Sequence, residues 1–257
     1  MAIRKLRNLL LDAMPSKARE FLDERMAIRP LAAGEPLCRV GEPLTHVVFP
    51  HDAVVSLQSA AGEKRAIENA SVGHEGLVGV NALLGERVMV ASAIVAIAGQ
   101  ASWLQITDLE IALDAFDPVR EILFGYSAWV IRQLMHRLVC GSVHSAQQRI
   151  ATWLLYAHRR TEGDSFELTQ RQIATMFGLR LATVSDACAR LANAGAIHYS
   201  RGYLTIDNTS ALRAQACACY EMKPKLTRDG EAAGGPGPTP RPASQSRTKL
   251  AMERSAR

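Results

Sequence analysis

Hydrogen-bonding and basic side chains recur between residues 169 and 201 at positions suited to contact nucleic acid. Arginine can donate two hydrogen bonds to a guanine, and short hydroxyl side chains can bond bases or phosphates. One group comes just before and at the start of a predicted helix, and a second begins at Arg180. The candidate DNA-contacting residues are Thr169, Gln170, Arg171, Arg180, Leu181, Ala182, Thr183, Ser185, Asp186, Arg190 and Arg201.

Two helices joined by a tight turn would position this group. Thr169 is a helix N-cap candidate for residues 170–177, because its hydroxyl can accept a hydrogen bond from an amide of the first turn. Gly178 then supplies the backbone freedom of a turn. Apolar residues occupy one face of the run that begins at Leu181. The spacing predicts a helix-turn-helix unit.

A short hairpin is predicted directly after the second helix. Residues 196–199 and 203–206 are β-prone and flank a turn that contains Arg201 and Gly202. Such a wing lies beside the DNA backbone when the second helix enters the major groove of double-stranded DNA. The pattern predicts DNA binding, and it leaves open a winged helix that serves protein contacts or dimerisation instead.

The excess positive charge of the chain lies outside this unit. The 257 residues carry a net charge of +5, and residues 223–257 account for all of it, with eight Lys or Arg against three Asp or Glu. This segment is rich in Gly, Pro and Ser, a composition typical of disordered chains. We predict a disordered basic tail, whose charge is either merely solvated or adds salt-sensitive attraction to DNA.

The sequence contains no evident membrane or secretory segment. No apolar run approaches the length of a membrane helix, and the apolar patch near the N-terminus is too short and too interrupted for a signal peptide. We therefore expect a cytoplasmic protein without a membrane partner.

The five cysteines, at positions 38, 140, 188, 217 and 219, are not spaced as a disulfide framework. Cys217 and Cys219 could form half of a metal site, but the sequence shows no second Cys or His pair at ligand spacing. We therefore predict free thiols, no metal and no cofactor.

The first half of the chain has the texture of an antiparallel β domain, as in sandwiches and rolls. Glycines separate its short apolar runs, which cover 47–50, 53–58, 77–84, 90–98 and 101–106. A much longer helix is predicted from Asp117 to about His144, which is about 40 Å at 1.5 Å per residue.

This long helix carries an apolar stripe that could face a second copy of the chain. A helix buried wholly in its own domain is the alternative, but a position between two domains favours the dimer. The predicted dimer stripe consists of Leu123, Ser127, Val130, Leu134, Leu138 and Gly141.

Four segments of an α+β protein follow from these patterns. Residues 1–116 are predicted to form a β-roll domain with flanking helices, 117–145 the long connecting helix, 146–222 the winged helix-turn-helix domain, and 223–257 the tail.

The order of these parts resembles the Crp/Fnr family of bacterial regulators, named for the cyclic-AMP receptor protein and the fumarate-nitrate regulator. The resemblance covers about residues 20–222 and is carried by VGHEGLVGVNALLG, RIATWLL, LTQRQIATMFGLRLATVS and AGAIHYSRGYLTI. It implies a cyclic-nucleotide-binding-like β-roll (jelly roll) that senses an effector, and a homodimer formed through the long helix. It also implies transcription regulation at a roughly palindromic operator, with a hinge near residues 145–149 and RNA polymerase as a further partner.

The residues that the resemblance implies for effector binding differ from those of cyclic-nucleotide-binding relatives. Where these relatives place a Gly-Glu and an Arg-Ser pair, this chain has Gly79-Val80 and Ala91-Ser92, so neither the ribose nor the phosphate would find its usual partner. Leu134 and Met135 stand where the family contacts the base. These candidate pocket residues argue against cyclic AMP in the usual mode and leave the effector unknown.

The second helix of the predicted DNA-binding unit departs from the family as well. Leu181, Ala182 and Asp186 stand where the family often has an Arg, a Glu and another Arg. Leu and Ala can only contact a thymine methyl, and Asp can accept from cytosine but repels phosphates. The sequence preference should therefore differ from that of the family. We expect most side-chain contacts from Arg180, Thr183, Ser185 and Arg190.

Two other hypotheses stay open. A sensing or interaction module of the same fold, with specific DNA binding weakened or lost, is favoured by Asp186 and by the modest net charge of +2 over residues 146–222. An enzyme is disfavoured, because no Ser-His-Asp, paired-carboxylate, phosphate-loop or metal-ligand pattern stands out.

Overall fold

The computed structural model describes residues 7–60, 62 and 66–221. The chain divides into two units, Met1–Leu226 and Thr227–Arg257, and every described residue lies in the first. The predicted tail, 223–257, lies outside the described residues. Within the described ranges, no helix is long and apolar enough to cross a membrane.

The helices and strands of the described chain fall into three blocks. The first block comprises α1 (Leu9–Ala13), α2 (Ser16–Asp23), β1 (Ala27–Leu31), β2 (Pro36–Cys38), β3 (His46–Pro50), β4 (Val54–Ala60), β5 (Ala66–Val72), β6 (Ser92–Ile97), β7 (Gly99–Gln105) and α3 (Ile106–Ala115). The second is the long helix α4 (Asp117–Val143). The third comprises α5 (Ala146–Arg160), β8 (Ser165–Glu167), α6 (Gln170–Phe177), α7 (Leu181–Asn193), β9 (Ile197–Ser200), β10 (Tyr203–Ile206) and α8 (Thr209–Gln215).

Two antiparallel sheets, with strand orders β1-β7-β3 and β2-β6-β4-β5, form the β-roll. Val48 lies opposite Trp103 in the first sheet, and Val55 lies opposite Val95 in the second. Side chains from both sheets join α1 to α4 in a single hydrophobic cluster. This mixed architecture confirms the predicted α+β fold with an N-terminal β-roll.

One predicted apolar run of the roll does not form a strand. Within 77–84, Val78 makes only an isolated bridge to Val48, and Val80–Leu84 is a 3-10 helix. Gly79 and Gly85 flank it with φ of +95° and +82°. These left-handed residues end the extended backbone on both sides, and glycine adopts them at little steric cost.

The long helix α4 has the predicted extent, and proline in its first turn suits a helix start. Its helical bonding ends at His144. Ser145 then caps α5, because its Oγ accepts from the Gln148 amide at 3.3 Å while Gln148 Oε1 accepts from the Ser145 amide at 3.0 Å. Only His144 and Ser145 are non-helical between α4 and α5, so a hinge of the kind implied near 145–149 would lie at these two residues.

The third block forms a winged helix whose sheet has the order β8-β10-β9. Its core includes Ile150, Leu154 and Leu191 and continues into the roll, because Val54 and Ile97 belong to the same hydrophobic cluster. The roll and the C-terminal domain therefore pack directly on each other.

Charged side chains buried at this contact also join the blocks. Glu68 of β5 accepts from Arg137 of α4 at 2.6 Å and from the Trp153 indole of α5 at 3.0 Å. Arg160, at the end of α5, donates to Glu75 at 2.6 and 3.1 Å. Buried charges need such partners, so they help to fix how the domains meet.

Candidate nucleic-acid interface

The first helix of the DNA-binding unit begins at a capping box. Thr169 Oγ1 accepts from the Gln172 amide at 3.2 Å, and Gln172 Oε1 accepts from the Thr169 amide at 2.7 Å. The predicted cap is therefore confirmed. The Thr169 hydroxyl also faces Gln172 Oε1 at 2.8 Å, so its proton is engaged. A phosphate here would meet the side chain of exposed Arg171 or first-turn amides rather than this hydroxyl.

The turn between the two helices is made by a glycine that also lies close to the roll. Gly178 has φ of +64°, a conformation that L side chains rarely adopt. An added Cβ would also lie 2.8 Å from Ile67 Cδ1 on β5 of the roll. The turn therefore packs against β5 of the roll as well as joining α6 to α7.

The second helix, α7, has two distinct faces. Val184 and Leu191 are fully buried, and Ala187 and Cys188 lie beside them in the domain core. The predicted contact residues occupy the exposed remainder of the helix and its N-cap. This exposed set consists of Arg180, Leu181, Ala182, Thr183, Ser185, Asp186 and Arg190.

The wing is a two-residue hairpin. Ser200 of β9 lies opposite Tyr203 of β10, and the intervening Arg201 and Gly202 have φ of +50° and +88°. Positive φ at both central residues matches a type I′ turn, whose twist suits a hairpin. Arg201 is the only non-glycine residue with positive φ in the described chain, and its side chain is exposed.

The predicted DNA-contacting residues thus lie on the start of α6, on α7 and on the wing of one domain. All are exposed except Gln170, which is half-buried. Their grouping comes from the fold, because the sequence separates Thr169 from Arg201 by more than thirty residues.

The predicted dimer stripe requires a correction. Leu123 is fully buried and Ser127 is 5% exposed in the core of the chain's own roll, so neither is available to a second copy. Leu134, Leu138 and Gly141 are exposed. The exposed residues of α4 that recur at heptad spacing are Phe124, Ala128, Ile131, Met135, Leu138 and Ser142, which we term the α4 seam.

The predicted effector pocket does not come together as a single site. A cavity of about 660 Å³ lies between β5, α4 and α5, and Val80 and Leu134 line it. Gly79, Ala91, Ser92 and Met135 do not. Ser92 Oγ accepts from the Val40 amide at 3.1 Å, and Met135 is 62% exposed on the α4 seam.

The cavity lining contains residues that sequence reasoning missed. His74, Arg137, Trp153 and Arg160 line it together with Glu68. Burial lowers the pKa of His74 and raises that of Glu68, although Arg137 acts on Glu68 in the opposite direction. Isolated polar residues of this kind carry no periodic signal, so only the packing of three elements reveals them.

Cys217 and Cys219 are free thiols, as predicted, but they do not stand alone. Cys140 on the last turn of α4 and His144 at its C-cap bring their ligand atoms into the same group, and all four atoms lie within 4.8 Å of one another. The sequence could not show this, because more than seventy residues separate the two pairs.

Comparisons with known proteins agree with this architecture. Residues 148–215 match the model of the Crp-like helix-turn-helix domain. No curated protein matches the chain. Similar solved structures include FixK2 of Bradyrhizobium japonicum, with 20% identity, a TM-score of 0.63, and coverage of 75% of this chain and 98% of FixK2.

Two further solved structures have the same fold. The c-di-GMP-responsive global regulator CLP of Xanthomonas campestris is 12% identical with a TM-score of 0.58, and the match covers 76% of this chain and 100% of CLP. A transcriptional regulator of the CRP/FNR family from Thermus thermophilus is 16% identical with a TM-score of 0.53, and the match covers 74% of this chain and 98% of that regulator.

The fold is that of the solved Crp/Fnr-type regulators, and residues 148–215 match the Crp-like helix-turn-helix domain. Together they support a DNA-binding transcription regulator. The resemblance to the Crp/Fnr family predicted from the sequence is thereby confirmed.

Proposed function

We propose that the chain is a homodimeric transcription regulator that reads a roughly palindromic operator and responds to an effector at its roll. The observation that carries this proposal is the exposed face of α7, from Arg180 to Arg190, on a domain of the Crp-like type. A polar exposed helix following a tight turn suits the major groove. We also propose that this regulator is not an enzyme. It would act in the cytoplasm, where DNA is accessible.

Different contacts are assigned to different parts of the interface. Arg180, Thr183, Ser185 and Arg190 would make most side-chain hydrogen bonds to bases and phosphates. Leu181 and Ala182 would contact thymine methyl groups, and Asp186 would accept from a cytosine amine. Thr169, Gln170 and Arg171 at the start of α6, and Arg201 on the wing, would lie against the backbone. The net charge of +2 over residues 146–222 means that shape and dimerisation must supplement attraction to phosphates.

The dimer is supported by the α4 seam. Ile131, Met135 and Leu138 are 50%, 62% and 70% exposed, although all three are large and apolar. Their spacing is that of a two-helix seam in which side chains from two copies interdigitate. A symmetric pair would present two copies of α7 to half-sites about one DNA turn apart, which requires a palindromic operator. RNA polymerase would be a partner wherever the operator lies beside a promoter.

Effector sensing is supported by the position of the cavity. Its walls come from β5 of the roll, from α4, and from α5 and α6 of the DNA-binding domain. A ligand that binds here would contact the roll, α4 and the DNA-binding domain. It would therefore favour one arrangement of the domains over another. Of the residues implied for cyclic nucleotides only Val80 and Leu134 line the cavity, and its Arg137 and Arg160 are already paired with Glu68 and Glu75.

The decisive experiment recovers sites from sheared genomic DNA of the host with purified full-length protein at near-physiological salt. We expect enrichment of a palindromic motif with half-sites about one helical turn apart. Affinity is then measured on that motif for the wild type, Arg180→Ala and Arg39→Ala. Arg39 is a matched control, because its side chain is 71% exposed on the roll, away from the winged helix.

Arg180→Ala should weaken specific binding by about 1–3 kcal/mol per half-site, while Arg39→Ala should leave it unchanged. Equal losses of DNA affinity in both variants would show that Arg180 does not contact the operator. Diffuse recovery that vanishes as salt rises would overturn specific reading. It would favour the second candidate, a sensing or interaction module of this fold, which exposed Asp186 on the reading helix supports.

A further inference from the structure

Four potential metal ligands meet where the long helix ends. Cys140 lies on the last turn of α4 and His144 is its C-cap, and Cys217 and Cys219 follow α8 at the end of the DNA-binding domain. The Cys140 and Cys217 sulfurs are 3.7 Å apart, and Cys219 Sγ lies 3.8 Å from His144 Nδ1. All four ligand atoms lie within 4.8 Å of one another. The group thus joins residues from both sides of the hinge.

The Cys140–Cys217 and Cys219–His144 separations match one tetrahedral ion. Zinc binds sulfur at about 2.3 Å and imidazole nitrogen at about 2.0–2.1 Å, so tetrahedral ligand atoms lie about 3.4–3.8 Å apart. Three cysteines with one histidine is a common structural zinc set. A disulfide would need the sulfurs at about 2.05 Å, well below the distance between Cys140 and Cys217. A [4Fe–4S] cluster would hold its ligands farther apart, because each ligand then binds a different iron.

We propose that Cys140, His144, Cys217 and Cys219 form a structural Zn²⁺ site that fastens the end of the DNA-binding domain to the end of α4. The site closes a loop across the hinge at His144 and Ser145. It therefore restricts how far the winged helix can rotate about that hinge.

The surroundings of the group support it as a built site. The Thr152 hydroxyl accepts from the Cys217 amide at 3.0 Å and lies 3.1 Å from the Cys217 sulfur, so it can donate to a thiolate there. Tyr156 donates to the Cys219 carbonyl at 3.0 Å. Such outer contacts orient ligands before the metal arrives.

One cationic side chain also lies beside the group. Arg149 interacts electrostatically with Cys140 and Cys217 and would offset the net negative charge of the filled site.

The test measures metal uptake by reduced full-length protein without DNA, so its outcome is independent of the proposed function. We expect one equivalent of Zn²⁺ per chain by elemental analysis after dialysis. With Co²⁺ as the probe, we expect the visible absorption of tetrahedral thiolate coordination. The Cys217→Ser/Cys219→Ser and His144→Ala variants should lose at least tenfold in affinity. Cys38→Ser and His136→Ala are matched controls, outside the group on the roll and on α4, and should bind normally.

A second measurement covers the case in which a ligand variant fails to fold. X-ray absorption of the wild-type protein loaded with zinc should show three sulfur ligands and one nitrogen ligand. A shell of oxygen and nitrogen alone would overturn the site, as would equal uptake by the ligand and control variants. Stable pairing of Cys140 with Cys217 as a disulfide, with no metal uptake after reduction, would also overturn it.

Discussion

Arg160 of the DNA-binding domain and Glu75 of the roll form an ion pair that is almost fully buried. Arg160 Nη2 lies 2.6 Å from Glu75 Oε1, and the two side chains are 9% and 8% exposed. Arg160 also donates to Ser71 at 2.7 Å. An added Cβ at Gly73 would lie 2.5 Å from the Arg160 side chain, so the backbone has closed around it. Any movement of the DNA-binding domain away from the roll must therefore break this ion pair.

Removing one partner of this pair should be costly. Arg160→Met would leave the Glu75 carboxylate buried without its cation, and such losses amount to about 3–5 kcal/mol. Glu75→Gln/Arg160→Met should cost clearly less than the sum of the two single changes, because no unpaired charge remains. Chemical denaturation of the four proteins measures the coupling.

The exposed pair of Arg120 and Asp114 supplies the control cycle. Its side chains are 43% and 84% exposed, so its coupling should stay below about 1 kcal/mol. Equal coupling energies in the two cycles would show that Arg160 and Glu75 do not hold the domains together.

The pH dependence of stability should report on Glu68. Burial raises the pKa of this carboxyl above its ordinary value of 4.5, and Arg137 opposes the rise only in part. Between the ordinary pKa and the raised one, the folded state therefore keeps a proton that the unfolded chain has released. The contribution of Glu68 to the free energy of unfolding should fall as pH rises from 4.5 through the raised pKa.

Glu68→Gln removes this titration. The free energy of unfolding of the wild type minus that of Glu68→Gln should decrease with pH over this window, measured by denaturation at a series of pH values. Glu20→Gln, at an exposed position on α2, is the control and should give a flat difference. A wild-type advantage that grows with pH would mean that the ion pair with Arg137 outweighs burial.

Charge on the α4 seam should dissociate the proposed dimer. Ile131→Glu places a carboxylate at the centre of the seam in both copies, and burying each one without a partner costs roughly 2 kcal/mol or more. Light scattering coupled to size exclusion should show a dimer for the wild type and a monomer for Ile131→Glu. Ile111→Glu on α3 should remain dimeric, because Ile111 is equally exposed, 52% against 50%, but lies off the seam. Dissociation by both changes would count against the seam.

The wing allows folding and DNA contact to be separated. Arg201→Asn removes the charge but suits the positive φ of this position, so thermal stability should hardly change. DNA affinity should fall similarly on all sequences, and the salt dependence should weaken by about one unit per bound copy.

Gly202→Val tests the turn itself. A β-branched side chain at φ of +88° strains the hairpin, so this variant should lose about 1–3 kcal/mol of stability. If Arg201→Asn loses as much stability as Gly202→Val, or binds DNA with unchanged salt dependence, Arg201 does not serve mainly as a DNA contact.

The sequence by itself determined the local units. Thr169, Gly178 and the apolar face of α7 predicted the helix-turn-helix, because caps, turns and helical periodicity depend on neighbours within a few residues. The long helix and the hairpin at Arg201 and Gly202 followed for the same reason. The roll was predicted as a class, although β1, β2 and β5 were not recognised as strands.

Only the tertiary structure decided which surfaces are free and which distant residues meet. It buried Leu123 and Ser127 and moved the exposed seam around α4, since the roll covers one side of the helix. It scattered the predicted pocket, and it brought Cys140 and His144 to Cys217 and Cys219. These relationships depend on packing between elements far apart in the chain, for which a single sequence carries no periodic signal.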